Sequence, residues 1–376
     1  MGDREPPFGV YIHVPFCAAR CGYCDFNTYV PEGRGQQHEF VDAALLELRR
    51  AHAELGERPV STVFIGGGTP TLLGAKALLR LLAGVADTFG LDAEAEVTTE
   101  ANPESVDPEM LLALRRGGFT RVSLGMQSAA PHVLRTLDRV HTPGRAVAAA
   151  IEAREAGFRH VSLDLIYGTP GETDADWERT LDAALSAEPD HVSAYGLIVE
   201  PGTALAAAVR RGTMRAPEDG DQARRFRRAD QRLQAAGLDW YELCSWAASE
   251  EAHCRHNIGY WRSHDWWGIG PGAHSHVGGV RWWNVLRPAD YAQRLREGHE
   301  PVAGREVLTA EERALEAVML GLRLREGLAL SSLTTAGALA AEDQAILGRV
   351  VIADGRVQLT REGRLFADAV ARELSP

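Results

Sequence analysis

The chain contains no stretch near the ~18 uninterrupted apolar residues that cross a bilayer, and its opening, MGDREPPFGV, lacks the basic and apolar regions of a secretory signal. Both absences point to a cytoplasmic protein with no transmembrane segment. Cysteine is scarce, with five in 376 residues. Three of them, Cys17, Cys21 and Cys24, crowd together near the N-terminus, which is not the pattern of a secreted disulfide framework. In a reducing compartment so tight a group more often binds metal. Positive charge is also short: 40 Lys and Arg stand against 52 Asp and Glu, a formal net charge of -12. That balance excludes a general nucleic-acid or anionic-membrane binder, because either partner repels the chain at long range. The Arg-rich run from Arg210 to Arg232 is the local exception. Its interleaved Glu218, Asp219, Asp221 and Asp230 make it read as a solvated helix face.

What is present is an ordinary globular composition, 45% hydrophobic and 24% charged, in a chain longer than one typical domain. Short β-rich runs alternate with helical patterns. The expected strands are Val10 to Val14, Thr62 to Ile65, Glu96 to Glu100, Thr120 to Leu124, His160 to Ile166 and His191 to Leu197. His38 to Leu55 carries a helical stripe through Val41, Leu45, Leu48 and Leu55, and Asp107-Pro108 opens another helix as N-cap and first position. Six alternations predict an α/β fold, a parallel sheet curled into a partial (βα)6 barrel whose chemistry gathers at the C-terminal strand ends. The division expected is a barrel over 1–200, an aromatic and His-rich connecting region over 201–300, and a small unit over 301–376. The last begins near Leu308, with a capping box at Thr309 and Glu312, a hairpin at Asp354-Gly355 and a final helix opened by Thr360. Its outline is α+β and winged-helix-like.

The strongest chemical signal is CAARCGYC, a C-x3-C-x2-C run directly after the first strand. Three thiolates on one loop suit three irons of a [4Fe–4S] cubane and leave the fourth iron open. The amino and carboxylate groups of S-adenosylmethionine (SAM) are able to chelate such an iron. A zinc site is the alternative, but zinc normally wants a fourth nearby Cys or His, which this loop lacks. FIGGGTPT follows the second strand, and its glycines allow close approach and offer N–H groups to the methionyl end of SAM; a tight turn is the plain alternative. Glu100, Gln127 and Asp164 lie in or just after later strands, where a buried carboxylate or amide needs a partner.

The triad, the Tyr11-Ile12-His13-Val14-Pro15-Phe16 that precedes it and the Asp25-Phe26-Asn27 that follows resemble the radical SAM heme chaperone family HemW, related to the oxygen-independent coproporphyrinogen III oxidases HemN. The resemblance runs from about Gly9 to the C-terminus. It implies a radical SAM barrel in which Tyr11, Tyr23, Gly67, Gly68, Thr69, Glu100, Gln127, Arg139 and Asp164 contact one or two SAM molecules. His256-Asn257-Ile258-Gly259-Tyr260-Trp261 matches an H-N-x-x-Y-W motif of the HemW group, and the resemblance implies His256 as heme ligand. Seven of the eight Trp residues fall between Trp240 and Trp283, where they either cover a macrocycle or form the core joining two lobes. GIGPGAHSH, from Gly268 to His276, reads as a mobile loop closing over this face.

Two departures separate this chain from the oxidases: no cysteine follows the triad, and the segment before it is short. Tyr241-Glu242-Leu243-Cys244-Ser245-Trp246-Ala247 departs from the family's Y-E-x-S-N-aromatic-A at Cys244 and Ser245, and Cys244 and Cys254 read as inert core thiols. The resemblance therefore implies a heme chaperone that binds the cluster, SAM and heme, takes electrons from a donor and passes heme to apo-hemoproteins, respiratory ones among them. A coproporphyrinogen III dehydrogenase and a HemN-like radical SAM methyltransferase are the alternatives.

Overall fold

Strands β1 (Phe8–Val14), β2 (Val60–Gly67), β3 (Leu91–Ala101), β4 (Arg121–Gln127), β5 (His160–Tyr167) and β6 (His191–Gly196) lie side by side in chain order, each parallel to the next. The structure is a computed structural model that describes residues 7–139 and 141–375. All six expected strands are present. Alternation explains their shape: Val10, Ile12, Val14, Val63 and Ile65 turn outward into a fully buried apolar layer, while polar residues turn inward. Helices α1 (Arg34–Leu55), α2 (Ala75–Phe89), α3 (Pro108–Arg116), α4 (Pro131–Thr136), α5 (Arg145–Glu155) and α6 (Asp174–Ser186) follow the strands. On α2, for example, Leu78, Leu81, Leu82, Val85 and Phe89 are buried at three- and four-residue spacing. Asp107 caps α3 as expected, its carboxylate accepting from the Met110 N–H.

The stretch after Pro201 extends the same sheet at both ends. It comprises α7 (Ala204–Arg210), α8 (Asp219–Ala235), β7 (Asp239–Glu242), β8 (Ser245–Ala247), α9 (Arg255–Trp261), β9 (Asp265–Ile269), β10 (His274–Val277), β11 (Val280–Asn284), α10 (Pro288–Arg296) and β12 (Val302–Val307). β8 pairs with β6, β9 runs parallel to β1, and the twelve strands order as β12-β11-β10-β9-β1-β2-β3-β4-β5-β6-β8-β7. The barrel is thus open, with β12 and β7 as its outer strands.

Two expectations change here. Gly268 to His276 is no loop but the end of β9, a tight turn with Pro271 and Ala273 buried, and the start of β10, where His274 is exposed. A Cβ on Gly268 would meet the His274 carbonyl at 2.1 Å, and the Gly270 N–H donates to buried Glu47. The glycines serve close packing. The Arg-rich helix α8 is solvated along only part of its surface, where Arg224, Arg227, Arg228 and Arg232 pair with carboxylates. Arg225 and Asp230 are buried, Arg225 against Glu172 and Asp230 against Arg361 and Arg364.

The C-terminal unit has its own apolar core, built by α11 (Ala310–Gly321), β13 (Leu328–Ala329), α12 (Thr335–Ile346), β14 (Val350–Ala353), β15 (Arg356–Leu359) and α13 (Ala367–Leu374). Its three strands order as β13-β15-β14. The Thr309–Glu312 capping box forms, and Asp354 and Gly355 both take positive φ in the β14–β15 hairpin. Thr360 accepts from the Gly363 N–H and starts a 3-10 turn; α13 begins only at Ala367.

Candidate functional site

The inner face of the barrel and the loop after β1 enclose one cavity of about 420 Å³. Its wall includes Cys17, Cys21, Tyr23, Cys24, Gly67, Gly68, Thr69, Glu100, Gln127, Arg139 and Asp164, so the structure brings together the three cysteines and all but one of the residues singled out for SAM. Tyr11 is the exception. Its hydroxyl pairs with His13 Nδ1 at 2.9 Å and it stands apart from the lining.

The cysteine loop is pinned at both ends. The Cys17 N–H donates to the Tyr29 carbonyl at 3.0 Å, the Tyr29 N–H to Pro15 at 2.7 Å, and Asn27 reaches across to the Pro271 and Leu286 carbonyls. All three thiols are free and half-buried. The Thr69 hydroxyl lies 3.8 Å from Cys17 Sγ, and Arg139 Nη1 lies 3.8 Å from Cys21 Sγ. Burial pushes the Cys17 and Cys24 thiols up. Three free thiols on one loop at the cavity wall are the kind of donor set a cubane takes, one cysteine to each of three irons, and the Arg139 cation and the Thr69 hydroxyl lie beside the sulfurs.

The glycines act differently from the expectation. Gly67 has φ +104° and gives its N–H to Glu100 Oε2 at 2.9 Å, while the Gly68 N–H donates to the Val14 carbonyl. Neither N–H is left over for a ligand. A Cβ on Gly68 would sit 2.4 Å from the Phe16 carbonyl oxygen, so this glycine lets β2 pass against the root of the cysteine loop.

Two half-buried carboxylates, Glu100 and Asp164, face the cavity. Burial raises Glu100 to about 8, helped by the charge of Asp164 and opposed by the Gly67 hydrogen bond. Burial also raises Asp164, to about 6, against the pull of Ser123, whose hydroxyl approaches both carboxylate oxygens at 2.9 and 3.0 Å. Gln127 holds φ +63° at a bulge between β4 and β5, a left-handed conformation uncommon for a side-chain-bearing residue. Arg139 Nη2 donates to the Gly125 carbonyl at 3.2 Å, but its buried Nε has no partner. The cavity thus offers carboxylates for an ammonium, hydroxyl or sulfonium and a guanidinium for a carboxylate, which matches the polar groups of SAM.

Sequence reasoning missed the deeper lining: Thr98, Arg121, Ser123, Ser162, His191, Ser193 and Tyr195. The signal was available in the two-residue period of β3 to β6, because every second residue faces inward.

His256 lies elsewhere. With residues 252–255 and the rest of α9 it stoppers the N-terminal end of the barrel. Glu96 accepts from the Arg255 and His256 N–H groups, and Arg121 donates to the Ala252 and His253 carbonyls. The imidazole is buried, with Nδ1 paired to the Thr62 hydroxyl and Nε2 to the Tyr260 hydroxyl, each at 2.8 Å, and the ring stacked on Phe64. Burial pushes it down to about 4, so it is neutral. Both ring nitrogens are thus engaged by protein hydroxyls, and an iron taking Nε2 would have to displace Tyr260. Cys254 is buried beside Glu96 and borders the cavity, Cys244 is half-buried, and burial pushes both thiols up.

A family model of the radical SAM superfamily matches residues 11–184, and one of the HemN C-terminal domain matches residues 308–366. Fold and site together define a radical SAM protein, a class that implies a [4Fe–4S] cluster and SAM. The heme chaperone HemW of Mycobacterium tuberculosis (strain H37Rv) is 54% identical over 98% of this chain and 95% of its own length. That of Bacillus subtilis (strain 168) is 32% identical over 96% and 97%. The solved structure of coproporphyrinogen III oxidase HemN from Escherichia coli, 24% identical, superposes with a TM-score of 0.85 over 99% of this chain and 90% of that one, and shares the fold. The chain belongs to the HemW family of heme chaperones. Among the described residues no helix is long and apolar enough to cross a membrane.

Proposed function

We propose that this protein carries heme to apo-hemoproteins and holds, through Cys17, Cys21 and Cys24, a [4Fe–4S] cluster whose open iron meets SAM in the adjoining cavity. The observation that supports the cluster and SAM reading is the single cavity walled by those cysteines, Glu100, Gln127, Arg139 and Asp164. The cluster, when bound, supplies one-electron reduction of a sulfonium. The chain's own residues position and shield: Glu100 and Asp164 hold the cationic parts, Arg139 neutralises thiolate charge beside Cys21, and the stopper at α9 closes the far end to water. Heme carriage is supported by family membership.

The test is anaerobic reconstitution of the full chain followed by iron, sulfide, SAM and hemin titrations beside a coproporphyrinogen turnover assay. The reading expects about four irons and four sulfides per chain, lost when the three cysteines become serine, together with stoichiometric hemin uptake and no catalytic decarboxylation. Multiple turnovers of porphyrinogen would replace the carrier reading with the oxidase one.

A further inference from the structure

Beyond the cavity, two imidazoles and two indoles share one face of the sheet extension. Residues directly opposed across a ladder point the same way. Trp266 stands opposite Gly9 of β1 and His276 of β10; His274 and His276 stand opposite Trp283 and Arg281 of β11. These four side chains therefore continue the inner face of the barrel past β1. Trp267 and Trp282 point the other way and pack at 4.8 Å in the core.

Trp283 is seated close against the sheet for an identifiable reason. Gly304 lies opposite Trp283, and a Cβ there would come within 2.4 Å of the indole, so the missing side chain lets the ring lie down on β12. His274, exposed, stacks on it with centroids 5.8 Å apart and planes 26° apart. The His276 ring lies 5.1 Å from that of Trp266.

The nitrogens are what distinguish this face from His256. His276 Nδ1 meets the His264 carbonyl at 3.2 Å. A carbonyl only accepts, so Nδ1 carries the proton and Nε2 keeps a lone pair. That is the usual second contact of an imidazole that binds metal. Among the described residues no protein group bonds Nε2 of His276 or either nitrogen of His274. Arg281 is already held by Glu306 and Glu316, so the face offers π-surfaces and imidazole rather than a free cation.

We propose that this platform of Trp266, His274, His276 and Trp283 receives the heme, with an imidazole of His274 or His276 on the iron and the indoles against the macrocycle. The proposal rests on the heme-carrier reading above. A porphyrin is a flat apolar plate whose iron takes imidazole nitrogen, and this face supplies both.

The test is hemin titration of the full chain by absorbance, with resonance Raman or EPR reporting the axial ligand. For His274→Ala/His276→Ala we expect affinity to fall at least about tenfold, the histidine signature to vanish, and added imidazole to restore it. Cluster iron content and circular dichroism check that the variant is folded. Gly304→Val lifts Trp283 and leaves both imidazoles, so it is expected to weaken binding while keeping the ligand signature. Unchanged affinity and signature in the double variant would overturn the platform while leaving the carrier reading intact. A wild-type chain that takes up no hemin would remove the carrier reading itself, and the platform with it.

Discussion

Glu47 shows how a single carboxylate links distant segments. From the middle of α1 it accepts from the Gly270 N–H, the Asn284 amide and the Tyr291 hydroxyl, and burial raises it to about 7 from 4.5. A carboxylate raised by folding favours the protonated state. Its contribution is fully present below the unfolded value and declines as pH climbs through the folded one. We expect thermal stability to fall between pH 5 and 8 by up to about 3 kcal/mol more in the wild type than in Glu47→Gln; parallel pH curves for the two would refute this. Glu100, raised to about 8, carries a linked consequence in the cavity. A cationic ligand draws out its proton, so SAM binding should tighten as pH rises from 6 to 8. Calorimetry in buffers of different ionisation enthalpy should show proton release that Glu100→Gln loses. At this scale the sequence was informative where a residue's chemistry is specific, as with the cysteines and Glu100. It misled at Gly67 and Gly68, because whether an N–H points to a ligand or to the chain depends on register that no local pattern displays.

Helix α9 illustrates the same limit for an element. The motif His256 to Trp261 was legible as special, but its use was not. Only the folded barrel shows that Glu96 and Arg121, one hundred and more residues earlier, grip its start. His256→Ala should remove packing against Phe64 and leave the Thr62 and Tyr260 hydroxyls unpaired, which costs about 2–4 kcal/mol. Chemical denaturation measures it, and a loss below about 1 kcal/mol would show that the helix does not stopper the barrel. The strands, by contrast, were readable because parallel strands buried on both sides leave continuous β-rich runs. The extension strands β9 to β12 are hard to read in the sequence since each has only four to six residues, and β9, which joins them to the barrel, pairs with β1 more than two hundred residues earlier.

For the whole molecule the decisive contact is the anchor between the C-terminal unit and α8. Asp230, fully buried, takes Arg361 at 2.6 Å, Arg364 at 2.8 Å and the Trp246 indole N–H at 2.9 Å, and Arg227 with Glu362 adds an outer pair. Removing the carboxylate strands a buried guanidinium, so Asp230→Ala should cost about 3–5 kcal/mol and expose the junction to limited proteolysis, with the barrel fragment surviving as the larger product. Intact digestion patterns would contradict it. None of this was visible beforehand, since a helix so rich in Arg and Asp reads as solvated until another layer covers it. The stopper has a mechanical corollary. Tyr260 holds the ring of His256 with its hydroxyl and packs its own ring edge-on to Trp266 at 4.7 Å. A load placed on that indole is therefore transmitted through one phenol to the floor of the barrel, which makes the tryptophan's fluorescence a gauge of how firmly the floor is seated.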